Sequence, residues 1–104
     1  MKPRITARHF SLNESLRTAV QERFEKLEKY YDGITDAHVV LAVNRARPGE
    51  KSAEVVLTVY RQTLSASDIG PTHEKALDEC IEGLRRQLVR YKGKLRSRAR
   101  DYYR

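Results

Sequence analysis

The sequence predicts an α+β domain of two layers in the order β-α-β-β-β-α, with a four-stranded sheet and both helices on one of its faces. Three observations carry that prediction. Two stretches repeat apolar residues at spacings of three and four, other stretches alternate apolar and polar residues with period two, and Gly, Pro, Asn and Asp mark the boundaries between them. Each helix has one apolar face, and two such faces are buried most simply on the same side of a sheet. The chain of 104 residues reads as a single domain over 1–104, long enough to bury a core and too short for two.

The elements follow in order. In KPRITARHF, Ile5 and Ala7 alternate with Arg4, Thr6 and Arg8, the pattern of a half-buried strand. In SLNESLRTAVQERFEKLEKYYDG, Asn13 is placed to cap a helix whose apolar residues are Leu16, Val20, Phe24, Leu27 and Tyr31. Asp32-Gly33 is expected to end that helix in the left-handed conformation that glycine tolerates. DAHVVLAVNRA and SAEVVLTVYRQ are β-branched and alternating, with Val39, Leu41, Val43, Val55, Leu57 and Val59 inward, and the Pro48-Gly49 turn between them makes a hairpin. Leu64 and Ala66 predict a short fourth strand. The outer sheet face, with Arg4, Thr6, Arg8, His38, Thr58, Tyr60 and Gln62, is expected to stay wet, although it also carries Val40 and Val56. Thr72 is placed to cap a last helix from His73 to about Arg100, leaving a short tail over 101–104. Taking Leu77 as reference, Ile81, Leu84, Leu88, Tyr91 and Leu95 fall within about 40° of it at roughly 100° per residue.

Composition narrows the function. No run is apolar enough for a membrane span and the N-terminus lacks the apolar stretch of a secretory signal, so a cytoplasmic location is expected. His9, His38 and His73 lie on separate segments without ligand spacing, and no Gly-rich phosphate loop or nucleophile motif is present. The expectation is therefore no enzyme, no cofactor, no metal and no small-molecule substrate. The single cysteine, Cys80, allows no internal disulfide and reads as a small buried side chain.

Charge is the strongest functional signal. Residues 1–84 carry 12 Lys and Arg against 13 Asp and Glu, whereas residues 85–104 carry 9 against 1. The first helix mixes Glu22, Glu25 and Glu28 with Arg23, Lys26 and Lys29, as a solvated face does. The last helix has no such mixing from Arg85 until Asp101: Arg85, Lys92 and Arg96 flank its apolar stripe on one side, Lys94 and Arg98 on the other, and Arg86, Arg90 and Arg100 lie behind. An unstructured basic arm has no reason to keep an apolar seam through its charges. Like charges along about 30 Å of helix repel, and phosphates relieve that repulsion. Because the apolar seam is committed to the sheet, a membrane is disfavoured as the polyanion. Nearly pure cations suit phosphate rather than base edges, which points to structured RNA recognised by shape. Tyr102 and Tyr103 have two readings, bases stacked on their rings or a frayed end.

The stretches SLNESLRTAVQERFEKLEKYYDGI, HVVLAV, ASDIG and RRQLVRYKGKLRSR resemble, over nearly the whole chain, the short form of the bacterial ribosome hibernation promoting factor family, a family of ribosome-associated translation inhibitors also described as sigma-54 modulation proteins. The resemblance implies a βαβββα domain that binds the small ribosomal subunit, on 16S rRNA in the channel of mRNA and tRNA. It further implies a factor that blocks translation and preserves inactive ribosomes under starvation or stress, as in stationary phase. Carried over to this sequence, the family's basic positions are Arg86, Arg90, Lys92, Lys94 and Arg96 on the last helix and Arg17 and Lys26 on the first; Arg85 and Arg8 join them on position and charge. The alternative is a general structured-RNA-binding module or RNA chaperone, and a protein interaction domain with an acidic partner is a further rival. Departures from the family pattern are visible too. Thr72-His73-Glu74 stands where the family opens its last helix with Asp-Met-Tyr, so a capping side chain is kept and the ring is absent. The related subunit-stabilising factor's acidic tail and the long form's second domain have no counterpart in these residues, so any pairing of ribosomes implies a second factor or another mechanism.

Overall fold

The computed structural model describes residues 1–102, with side chains described for residues 1–95. The element order is β1 (Arg4–Arg8), α1 (Glu14–Tyr30), β2 (Asp36–Val43), β3 (Lys51–Val59), β4 (Gln62–Gly70) and α2 (His73–Tyr102). The sheet runs β1-β2-β3-β4 in space. β1 and β2 pair in parallel, with Ile5 opposite Val39, because α1 carries the chain back between them. β2–β3 and β3–β4 are antiparallel, with Val39 opposite Val55 and Val55 opposite Ala66.

This register puts the alternate residues of every strand on one face. Ala37, Val39, Leu41, Ala53, Val55, Leu57, Val59 and Leu64 are buried there under Leu16, Val20, Phe24 and Leu27 of α1 and Ala76, Leu77, Cys80, Leu84, Leu88 and Tyr91 of α2. Both helices therefore cover the same side of the sheet. α2 lies over β3 and β4 with α1 beside it. Arg23 of α1 reaches Asp78 of α2 at 2.7 Å and, further along both helices, Lys92 Nζ reaches the Tyr30 carbonyl at 3.4 Å, so the helices run in the same direction. The C-terminus of α1, the β3–β4 turn and the last turns of α2 thus gather at one end of the domain.

The caps explain where the helices begin. Asn13, extended at φ −103° and ψ 166°, accepts the Leu16 N–H on its side-chain oxygen at 2.8 Å. Thr72 does the same for the Lys75 N–H at 3.1 Å. Cys80 Sγ, 1% exposed, donates to the Ala53 carbonyl at 3.4 Å, and burial together with the nearby Asp68 carboxylate pushes the thiol pKa up to about 11.

Three sequence expectations need correction. Gly33 is not left-handed, since the only positive φ values among the described residues are at His9 and Arg61. α1 instead ends as Tyr31 turns extended (φ −148°, ψ 118°) while its N–H still bonds to the Leu27 carbonyl at 2.9 Å. A Cβ at 33 would overlap the outer end of the Tyr31 ring, which sits edge-on to Tyr91 at 5.6 Å, so a larger residue there would have to displace that ring. The fourth strand is nine residues long rather than short, because its polar residues pair fully with β3 although few of them are buried. Tyr60 belongs to a two-residue turn, and Gln62 pairs with Val59 on the helix side instead of facing outward. α2 is described to Tyr102, beside the stop expected at about Arg100.

Two expectations test this packing. Leu88→Ala, at a wholly buried position, should cost about 2–5 kcal/mol in urea unfolding monitored by circular dichroism. The raised thiol pKa gives a pH dependence: the unfolded chain releases the Cys80 proton near its ordinary value of 9.0 and the folded chain only near 11. The stability the neutral thiol confers is thus complete below pH 9 and declines as pH rises through the interval to 11. Cys80→Ala should flatten that decline, as measured by urea midpoints across the interval.

Candidate nucleic-acid interface

The buried stripe of α2 fixes where its cations point. With Leu84, Leu88 and Tyr91 inward, Arg86 and Arg90 project from the back of the helix and Lys94 from its β4 side, all three exposed. Among the described residues none of these three has an acidic partner within salt-bridge distance. The β4 flank is held by Gln87, whose side-chain amide donates to the Ser65 carbonyl at 2.7 Å.

The other cations of the expected set are placed differently. Arg85 is paired with Glu82 one turn earlier, at 2.6 Å and 3.2 Å. The Arg85 hydrogen bond holds the Glu82 carboxyl below its ordinary range, and the guanidinium pKa rises in turn. Lys92 is half-buried: its ammonium lies 4.6 Å from the centre of the Tyr30 ring and donates to the Tyr30 carbonyl at the end of α1. It closes a helix C-terminus, where a cation is favoured, and is partly spent as a brace between the helices. Lys26 is exposed on α1. Arg17, 3.6 Å from Glu14, lines a groove with Lys2, Pro3 and Ile5 at the β1 side of α1. Arg8 lies on the open sheet face with Val40, Ala42 and Ser52, separated from the helical cations by the sheet itself. The Arg96 side chain, the ring of Tyr102 and the whole of Tyr103 lie outside the described residues.

One basic residue that the sequence reading passed over is brought to the cluster. Arg61 sits in the β3–β4 turn and lines a small cleft with Tyr60, Gln62, Tyr91, Lys94 and Leu95. A signal for the turn was present. Buried positions change from odd numbers up to Val59 to even at Leu64, and an antiparallel hairpin with a two-residue loop makes that change of parity.

The remaining polar residues serve the scaffold. His73 Nε2 donates to the Ala42 carbonyl at 3.0 Å while its ring stacks on Phe10 at 4.6 Å. His38 and Thr6 share a hydrogen bond of 2.8 Å across β1 and β2. Among the described residues no three His, Cys, Asp or Glu side chains gather as a metal site does, and no helix is long and apolar enough to cross a membrane.

The chain is a βαβββα domain that presents a braced cationic helix, and comparison with known proteins shows the family to which it belongs. The profile of the family described as "Sigma 54 modulation protein / S30EA ribosomal protein" matches residues 4–96, and the chain belongs to that family. The ribosome hibernation promoting factor of Escherichia coli (strain K12) is 34% identical over 96 residues, covering 92% of this chain and 98% of that one. The ribosome hibernation promotion factor of Deinococcus radiodurans is 32% identical over 90 residues, 85% of this chain and 47% of that longer protein. Among solved structures, a ribosomal subunit interface protein from Coxiella burnetii superposes with a TM-score of 0.80 at 19% identity, covering 89% of this chain and 99% of that one. The N-terminal domain of Protein Y from Thermus thermophilus does so with 0.77 at 21%, covering 88% and 99%.

The division of labour among the cations is testable. Lys92→Met should lower stability by about 0.5–2 kcal/mol, because a half-buried cation contact and a carbonyl partner are lost. Arg90→Met should leave the urea midpoint nearly unchanged, since the side chain is exposed and meets no acidic partner among the described residues.

Proposed function

We propose that this protein is a ribosome hibernation factor that binds the small ribosomal subunit through 16S rRNA in the channel of mRNA and tRNA, blocking translation and preserving inactive ribosomes under starvation or stress. It works in the cytoplasm as a plug and catalyses no reaction. The observation that carries this reading is the run of cations Arg86, Arg90 and Lys94, none with an acidic partner among the described residues, on a helix whose opposite face is locked into the core. Such a helix offers charge at fixed spacing and loses little conformational freedom on binding, which favours a rigid, folded RNA groove over a flexible strand. The names of relatives from Escherichia coli and Deinococcus radiodurans support hibernation as the process.

The expected site divides into a primary surface, Arg86, Arg90, Lys94 and Arg96, and supporting cations. Lys26 extends the surface onto α1. Arg85 reaches phosphate by exchanging its exposed partner Glu82, an exposed pair of small net worth. Lys92 contributes field while it braces. Arg17 and Arg8 face other directions, and they meet RNA only if the channel wraps the domain.

Charge reversal tests the proposal. Arg86→Glu, Arg90→Glu and Lys94→Glu together should leave the circular dichroism spectrum intact and weaken binding to purified small subunits by about 1,000-fold or more. Inhibition of translation in vitro should be lost in parallel. Undiminished inhibition by the triple variant would remove the cluster from the mechanism. Equal wild-type affinity for small subunits and for free folded RNA of similar length would favour the general RNA-binding module instead.

A further inference from the structure

The β3–β4 turn carries features that the fold does not need. Tyr60 is 62% exposed at its tip. Arg61 follows with φ 62°, a left-handed conformation that a long side chain adopts at a cost and that glycine adopts freely. The Arg61 guanidinium carbon stands 5.3 Å from the centre of the Tyr60 ring. The turn is not loose: the Tyr91 hydroxyl of α2 donates to the Tyr60 carbonyl at 2.8 Å, so the backbone of the tip is tied to the basic helix. Lys94, one helical turn beyond Tyr91, shares the adjoining cleft with Tyr60, Arg61 and Leu95.

An exposed ring, a guanidinium and an ammonium held together on a tethered backbone make the elements of a nucleotide subsite. We propose that Tyr60, Arg61 and Lys94 bind one unpaired nucleotide of the RNA that α2 engages, with the base stacked on the Tyr60 ring and its phosphate held between Arg61 and Lys94. Aromatic faces take any base, and Arg and Lys beside them take the phosphate. Arg61 stands over one face of the Tyr60 ring, so the base takes the other face. The strained residue then has a function: a glycine at 61 would relax the turn and forfeit the cation. This subsite rests on the reading of α2 as an RNA-binding helix and adds a contact outside it, at the end of the domain where α2 leaves the sheet.

Three single variants of the full chain, assayed on purified small subunits over a range of salt, test it. Tyr60→Ala should weaken binding by about 5- to 100-fold, the range of one lost base stack, with the salt dependence unchanged. Tyr60→Phe should bind as the wild type does, because the carbonyl, not the phenol oxygen, anchors the turn. Arg61→Gly should fold at least as stably, since φ 62° suits glycine, yet weaken binding and reduce the log–log salt slope by about 0.7–0.9, the signature of one phosphate contact. If Tyr60→Ala and Arg61→Gly bind like the wild type while the triple reversal on α2 abolishes binding, the subsite is refuted and the proposed function stands. If the wild type itself fails to bind small subunits, both fall. If Tyr60→Phe is as weak as Tyr60→Ala, stacking is refuted.

Discussion

The structure depends on the burial of one stripe of α2. Leu77, Leu84, Leu88 and Tyr91 are almost wholly removed from solvent against β3, β4 and α1, and everything the helix presents outward is placed by that contact. A buried leucine contributes about 1.5–3 kcal/mol, whereas a like-charge pair one helical turn apart costs only a few tenths. Two or three core side chains therefore offset the repulsion along the exposed back. The asymmetry of these magnitudes lets a helix hold a dense cationic surface without melting.

The same stripe divides the cations into kinds. Those nearest the core edge are drawn into structural contacts, as Lys92 is by the Tyr30 ring and carbonyl. Those diametrically opposite the core, Arg86 and Arg90, meet no acidic partner among the described residues. An exposed residue such as Arg85 keeps a local partner, Glu82, that it can give up cheaply. Sequence position on the helix thus sets how much of each charge is available to a ligand, which a count of Lys and Arg does not reveal.

The fold was legible wherever a periodic pattern met a single buried face. Both helices, the Asn13 and Thr72 caps and the β2–β3 hairpin are properties of local sequence and were readable as such. β4 was underestimated because a strand can be held by backbone pairing with little burial, and hydrophobic alternation then says little; only Leu64 is fully buried. Gly33 does not have the left-handed backbone that an Asp-Gly pair suggests, and its neighbour is the Tyr31 ring, whose position sequence alone does not give. At the candidate interface, the run of cations was plain from composition. Which of them are spent was not, since the ties from Arg23 to Asp78 and from Lys92 to Tyr30 join residues 55 and 62 positions apart. The Arg85–Glu82 pair, three residues apart, lies within reach of the helical spacing rule.

Direction also matters. α1 and α2 run the same way, so the end of the domain that carries the α2 cations also receives the C-terminus of α1 and the turn between β3 and β4. A helix C-terminus bears partial negative charge, which favours nearby cations by about 0.3–1 kcal/mol. That is too little to neutralise the cluster but enough to settle Lys92 at the end of α1. Meanwhile the near balance of charge over residues 1–84 leaves the rest of the surface without a competing field. A polyanion approaching such a molecule is turned toward the basic end before contact, and there it meets a backbone already pinned by Tyr91. Orientation is supplied by the uneven distribution of charge, and rigidity by the core beneath it; the proposed docking of the helix in an RNA groove needs both.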